Sequence, residues 1–271
     1  MTLSELVAAA LAEDLGPLGD ITAALLPSEA TAEAFLVPRT AGVLAGCPAA
    51  RETYRQVDRD LDVEWSAWEG DSVLAGARIA RISGRLASIL TGERTALNFL
   101  CHLSGIATAT RRYVELTTGT GARIRDTRKT TPGLRALEKA AVRAGGGVNH
   151  RGNLSDGILV KDNHLGGMSI AEAVAEARRL WPGRTVQVEC DTFDQVEQSL
   201  AAGADLVMLD NMSPEDVTTA VKLVDHRCLV EVSGGVTLDT VAEYASTGAD
   251  LISIGALTHS APVLDIGLDL C

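Results

Sequence analysis

With 271 residues, 46% of them apolar, the chain is long enough for one large core or for a barrel plus a smaller domain. A net charge of −12, a pI near 4.9 and 3% aromatic residues exclude the broad basic field of a nucleic-acid surface. No apolar run reaches membrane-spanning length. The five cysteines at 47, 101, 190, 228 and 271 have no CxxC spacing, which fits a reduced, cytoplasmic protein and not a disulfide framework or a zinc site.

The first segment, MTLSELVAAALAEDLG, reads as an amphipathic helix capped by Thr2 with Glu5 as the box. Its acids and its lack of a basic leader argue against a signal peptide. After the turn GPLGDIT come strand-like AFLVPR and GVLAG, a helix near 47–58 and extended segments around 61–83, together a small α+β domain. The long helical stretch LASILTGERTALNFLCHLSGIATATRRYVELTTG follows, with no low-complexity linker after it, so the two parts of the chain are expected to pack closely.

From about residue 120 the pattern changes. ARIRD, GILVKD, VQVECD, DLVMLDN, LVEVSGG and LISIGA are short apolar runs separated by helical patterns, the signature of parallel strands with helical crossovers. They end at Asp126, Lys161, Glu189, Asp210, Ser233 and Gly255, and the last four lie 21 to 23 residues apart, the length of one strand, loop and helix. Successive staves of an α/β barrel are expected, with those polar ends gathered at one mouth. Any one charge could be a solubilising cap. Lys161, Glu189 and Asp210 together, set against buried-looking runs, are better explained by shared ligands, because an unpaired charge there is costly to desolvate.

Residues 123–164 hold nine Lys or Arg against four Asp or Glu, a basic island in an acidic chain. Pro132, Gly145, Gly146, Gly147 and Gly152 interrupt it, which favours a pocket for a small anion over a solvated helix face. Arg128, Lys129, His150 and Arg151 can supply forked and point-charge donors to a planar acid with more than one carboxylate, or to pyrophosphate. Arg135, Lys139 and Arg143, at helical spacing, are set aside as solvated or ion-paired. Glu189 and Asp210, on neighbouring staves, are oxygen donors of the kind that hold Mg²⁺ while leaving positions for water and phosphate oxygens. VSGGV (Ser233, Gly234, Gly235) and IGA (Gly255), with His259 a turn later, point to a phosphate site at consecutive strand-to-helix turns. Either glycine turn alone would be explained by a tight turn needing positive φ.

In this order and spread over almost the whole chain, EDLGPLGDIT, TGERTALNFLCHLSGIAT, DTRKTTPGLR, GGGVNHRGNLSDGILVKDNH, VECDT, VMLDNM, VEVSGGV and IGALTHSAPVLDIGLDL resemble the quinolinate phosphoribosyltransferases, of type II phosphoribosyltransferase fold. The resemblance implies an open α/β barrel over 111–262 beside an N-terminal α/β sandwich domain over 1–110, to which the segment at about 263–271 returns. It implies transfer of the phosphoribosyl group of phosphoribosyl pyrophosphate to quinolinate with decarboxylation, giving nicotinate mononucleotide, pyrophosphate and CO₂ in de novo NAD synthesis, with Mg²⁺ as cofactor at Glu189 and Asp210. It also implies a homodimer in which Arg94 of GERT reaches quinolinate in the neighbouring barrel, with Arg128, Lys129, His150, Arg151 and Lys161 lining the pocket and Lys129, Glu189 and Asp210 as catalytic groups. The sequence departs from the family pattern at Gln187, where an acid is frequent, and at Val232, where a small polar residue is common. Two alternatives compete: a molybdate-transport-associated relative of the same fold with another substrate, and a Schiff-base lyase using Lys161.

Overall fold

The structure, a computed structural model, describes residues 1–271. Its first helix, α1 (Leu3–Leu15), begins where the expected capping box forms: Thr2 Oγ1 accepts the Glu5 N–H at 3.2 Å and Glu5 Oε2 accepts the Thr2 N–H at 2.7 Å. There follow β1 (Thr31–Pro38), β2 (Gly42–Val43), α2 (Cys47–Val57), β3 (Asp62–Trp65), β4 (Ser72–Val73), β5 (Ala80–Arg85), the 31-residue α3 (Leu86–Leu116), β6 (Arg123–Arg125) and α4 (Arg135–Ala144). Regular alternation then takes over: β7 (Ile158–Val160), α5 (Asp162–Leu165), α6 (Ile170–Leu180), β8 (Val186–Cys190), α7 (Phe193–Ala201), β9 (Leu206–Asp210), α8 (Pro214–Val224), β10 (Leu229–Ser233), α9 (Val241–Ala245), β11 (Leu251–Ser253), α10 (Ala256–His259) and β12 (Ile266–Leu270). Helices α6, α7 and α8 each start on a hydroxyl cap, Ser169, Thr192 and Ser213, which accepts a backbone N–H of the first turn. These caps stop each loop after its strand and start the crossover helix.

Two compact units emerge. The first comprises 1–111, 131–146 and 260–271. Its sheet is antiparallel in the order β12-β1-β5-β3, with Leu36 opposite Leu268 and Ala34 opposite Ile82, so the last strand of the chain pairs with the first. One core holds Leu36, Leu44, Tyr54, Ile82, Ile89 and Leu100 beneath that sheet. A second, smaller cluster packs Val7 and Leu11 of α1 against Ala49 and Phe99, with Leu134 and Leu137 on its edge. Those two leucines explain a difference from the sequence expectation, which placed all of 111–262 in the barrel: the segment carrying α4 groups with the first unit.

The same segment corrects two further readings. Gly145 is not a loop residue needed for an anion; a Cβ there would meet the Ala107 carbonyl oxygen at 2.5 Å, so it permits the end of α4 to approach α3. Arg111 Nε donates to the Gly145 carbonyl at 3.0 Å across the same approach. Lys139, expected to be solvated or ion-paired, is only 5% exposed and so is not solvated, and its neighbour Glu138 is fully buried, accepting from His102 Nε2 at 2.8 Å and the Thr131 N–H at 3.1 Å.

The second unit (112–130 and 147–259) contains six parallel strands in the order β6-β11-β10-β9-β8-β7. All six expected staves are present, and the sheet order leaves β6 and β7 as its two edges, an open α/β barrel. Strand alternation sorts the side chains. Val186, Val188 and Cys190 on β8, Val207 and Leu209 on β9, and Val230 and Val232 on β10 are buried on the face toward the helices. Gln187, Glu189, Met208, Asp210, Glu231 and Ser233 alternate with them on the other face, which bounds the cavity described next. No helix of the protein is long and apolar enough to cross a membrane.

Candidate active site

A cavity of about 700 Å³ opens at the carboxyl ends of the barrel strands, and every residue lining it belongs to the second unit. Of the residues singled out from sequence, it gathers Arg128, Lys129, His150, Arg151, Lys161, Glu189, Asp210, Ser233, Gly234, Gly235, Gly255 and His259. Arg94 is absent from this lining and is exposed on α3 in the first unit.

The cations are held by short loops after β6 and before β7. Thr127 Oγ1 accepts the Lys129 N–H at 3.0 Å, and Thr258 Oγ1 of α10 donates to the Lys129 carbonyl at 2.7 Å, so Lys129 is fixed from both sides. Asp126, fully buried at the end of β6, accepts the His150 N–H at 2.7 Å and the Asn149 side-chain amide at 2.5 Å. Asp126 is therefore a structural clamp on the HR pair. Arg151 Nη1 donates to the Gly157 carbonyl at 3.0 Å. Burial, and then the positive charge of Arg128, push the Arg151 guanidinium below its usual pKa, the condition expected where two arginines are held together for an anion.

Lys161 Nζ and Glu189 Oε2, on the adjacent strand β8, form a tight ion pair. The Lys161 amine is engaged by a carboxylate, and the Schiff-base alternative has no support. Asp210, at the end of β9, accepts from the Asn211 amide at 2.8 Å. Asn211 itself has φ +55°, and its backbone N–H donates to the Ser233 carbonyl at 2.9 Å. That bend is what Gly234 serves: at φ +95° a Cβ there would lie 2.2 Å from Asn211 Oδ1. A Cβ at Gly255 would crowd the cavity wall, standing 3.0 Å from Lys129 Cδ and 3.2 Å from His259 Nε2.

Both departures from the family pattern leave the lining intact. Val232 is buried on the helix-facing side of β10, and Gln187 lies one layer below the mouth, where its amide donates to Glu231 at 2.8 Å. Sequence reading missed that layer. Glu231 is fully buried and binds Arg125 Nη1 at 2.6 Å, yet it sits one residue before the noticed VSGG and alternates with Ser233, a period-two signal that points to it. Thr127, Asn211 and Thr237, also in the lining, were passed over because a short polar side chain in a loop carries no distinctive pattern.

An open parallel barrel whose strand ends bring arginines, lysines, two carboxylates and glycine turns into one cavity defines an enzyme of the α/β-barrel class acting on a multiply anionic, phosphate-bearing substrate. Comparison with known proteins gives the particular family. The N-terminal domain of quinolinate phosphoribosyl transferase matches residues 20–104 and its C-terminal domain residues 106–269, and the chain belongs to this family. It is 43% identical over 261 residues to a probable nicotinate-nucleotide pyrophosphorylase (carboxylating) of Bacillus subtilis, covering 95% of this chain and 90% of that one. Identity to the corresponding enzyme of Mycobacterium leprae is also 43%, over 268 residues, covering 96% and 94%. Among solved structures, the nicotinate-nucleotide pyrophosphorylase of Francisella tularensis superposes with a TM-score of 0.95 at 41% identity, covering 99% of this chain and 96% of that one. The molybdate-transport alternative finds no support among these relatives.

Proposed function

We propose that the cavity transfers the phosphoribosyl group of phosphoribosyl pyrophosphate to quinolinate with decarboxylation, yielding nicotinate mononucleotide, pyrophosphate and CO₂. The observation that carries the reading is the convergence of Arg128, Lys129, Arg151 and Lys161 on one cavity beside two carboxylates and two glycine turns. In this assignment Arg128 and Arg151 take the substrate carboxylates with their forked donors, while Lys161 and Lys129 add point charges and His150 lines the wall. Ser233, Gly234 and Gly235, together with Gly255 and His259, receive the ribose phosphate.

The residues present fit Mg²⁺ of a particular kind. Glu189 and Asp210 offer hard oxygens on adjacent strands, but no cluster of three or more His, Cys, Asp or Glu exists for a dedicated cage. Such a pair suits an ion that brings waters and phosphate oxygens of its own. Bound there, Mg²⁺ would supply charge neutralisation for the pyrophosphate group.

The chemistry asks mainly for positioning. The pyridine nitrogen donates its electron pair to C1 of the ribose as the C1–O bond to pyrophosphate breaks, through a centre with oxocarbenium character. Lys129, whose backbone is held by Thr127 and Thr258, offsets charge developing on the leaving oxygens in this reading. Ribosylation leaves the ring nitrogen positive. The C2–CO₂ bond then breaks, its electron pair stays at C2 under that positive charge, and a proton replaces the lost carboxylate. Ring electronics drive this step, so no protein base is required.

Arg94 is read as donated by a second copy in a two-fold homodimer, supported by its exposure on α3 and by a cavity lining drawn from the other unit alone. Five free cysteines support residence in the reducing cytoplasm. The direct test incubates the protein with quinolinate, phosphoribosyl pyrophosphate and Mg²⁺ and follows CO₂ and nicotinate mononucleotide. Equimolar release of both that requires both substrates is expected; absence of the nucleotide from folded, dimeric protein would refute the reading.

A further inference from the structure

Beneath the mouth, the barrel interior is filled by Arg125, Leu159, Gln187, Met208, Glu231 and Ser253. Apolar side chains usually fill such a layer, and replacing a buried ion pair by apolar residues is often neutral or stabilising. A fully buried carboxylate at Glu231 therefore calls for a use beyond stability.

The two oxygens of Glu231 are divided between tasks. Oε2 accepts from Arg125 Nη1 at 2.6 Å and Gln187 Nε2 at 2.8 Å. Oε1 accepts from Ser253 Oγ and stands 3.6 Å from His150 Nε2. The other ring nitrogen, His150 Nδ1, accepts the Arg151 backbone N–H at 2.7 Å, so it has no place for a proton of its own. The proton then sits on Nε2, the nitrogen that faces the Glu231 carboxylate at 3.6 Å, longer than a hydrogen bond but within reach of its charge. Asp126 fixes the His150 backbone from the opposite side at 2.7 Å. What His150 holds in turn is the start of Arg151, whose guanidinium is tethered to the Gly157 carbonyl.

We propose that Glu231 is a positioning residue: through the Nε2–H tautomer of His150 it sets the Arg151 guanidinium that receives a substrate carboxylate. The role rests on the reading that Arg151 binds quinolinate, and the experiment separates the two. Nitrogen-15 NMR of the imidazoles, with the His150 signals assigned by their loss in His150→Gln, should show His150 as the Nε2–H tautomer in the wild-type protein. Glu231→Gln places an amide N–H where Arg125 and Gln187 need an acceptor, or turns it toward His150 and drives the ring proton to Nδ1 against the Arg151 N–H; with both orientations populated, the tautomer should become mixed. Quinolinate Kd should rise about tenfold to a hundredfold, as for other outer residues that orient a ligand-binding group, while the Kd for phosphoribosyl pyrophosphate stays within about twofold. Glu231→Asp, which keeps the charge, should recover part of the loss.

A wild-type His150 protonated on Nδ1 overturns the proposal, whether or not any variant folds. So does a folded Glu231→Gln protein with an unchanged tautomer, or one with normal quinolinate affinity when Arg151→Ala has lost it. If Arg151→Ala also binds quinolinate normally, the pocket assignment has failed and the role of Glu231 in binding falls with it.

Discussion

Truncating Arg151 to alanine separates a binding role from a structural one. In the ligand-free protein this side chain works against stability: burial and the neighbouring Arg128 both disfavour its charge. Against that stands its hydrogen bond to the Gly157 carbonyl at 3.0 Å, worth about 1 kcal/mol. Truncation removes the penalty and the bond together, so the net stability change should stay within about 1 kcal/mol, a Tm shift of no more than about 4 °C for a chain of this size. Quinolinate, in contrast, loses a charge-assisted partner in a half-buried site, a cost of about 2 to 5 kcal/mol. That corresponds to roughly 30-fold to several-thousandfold in Kd. Titration calorimetry with quinolinate and differential scanning calorimetry on the same samples measure both quantities. An affinity within about threefold of wild type would refute the assignment of Arg151 to the substrate, and a large drop in Tm accompanying any loss of binding would mean that the guanidinium holds the loop and not the ligand.

Three further outcomes follow from the same geometry. Glu189→Gln and Asp210→Asn should each lower turnover and blunt its response to Mg²⁺ while quinolinate binding suffers much less, which steady-state rates across a Mg²⁺ titration will check; loss of quinolinate affinity with an intact metal response would mean the two halves of the site are exchanged. Mixing Arg94→Ala with Lys129→Ala should restore up to about a quarter of wild-type activity from two nearly inactive homodimers, since half of randomly assorted dimers carry one whole site of two; mass-verified heterodimers without activity would contradict a shared site. Glu52, bound first by Arg55 and also by Gln56 and Ser4, has its carboxyl held down to about 2, below its ordinary 4.5. A depressed folded-state pKa contributes stability above the ordinary value that is lost as pH falls from about 4.5 toward about 2, so Glu52→Gln should lower the denaturant-unfolding stability near neutrality and flatten its pH dependence within that window, the two curves converging at the acid end.

The barrel was legible because local chemistry repeats at each stave. An apolar run, a polar end and a hydroxyl cap three times in succession, at Ser169, Thr192 and Ser213, specify strand, loop and helix without reference to anything distant. The mouth was legible for a related reason: residues at the carboxyl ends of parallel strands converge wherever the barrel forms, so Lys161, Glu189, Asp210 and Ser233 could be placed together from their positions at the ends of apolar runs. Three features depended on tertiary structure. The segment carrying α4 lies between β6 and β7 in the chain yet groups with the first unit, because Leu134 and Leu137 meet a small apolar cluster contributed by α1, α2 and α3, and the pairing of distant apolar surfaces leaves no trace in local periodicity. Gly145 looks like a loop glycine in a run of three, and only the Ala107 carbonyl at its back shows that it is there for close packing. Glu231, hidden in a valine-rich strand, acquires its meaning from Arg125, Gln187, Ser253 and His150, which come from three other strands and a loop. A buried carboxylate is defined by the partners that compensate its desolvation, and those partners are neighbours in space before they are neighbours in sequence.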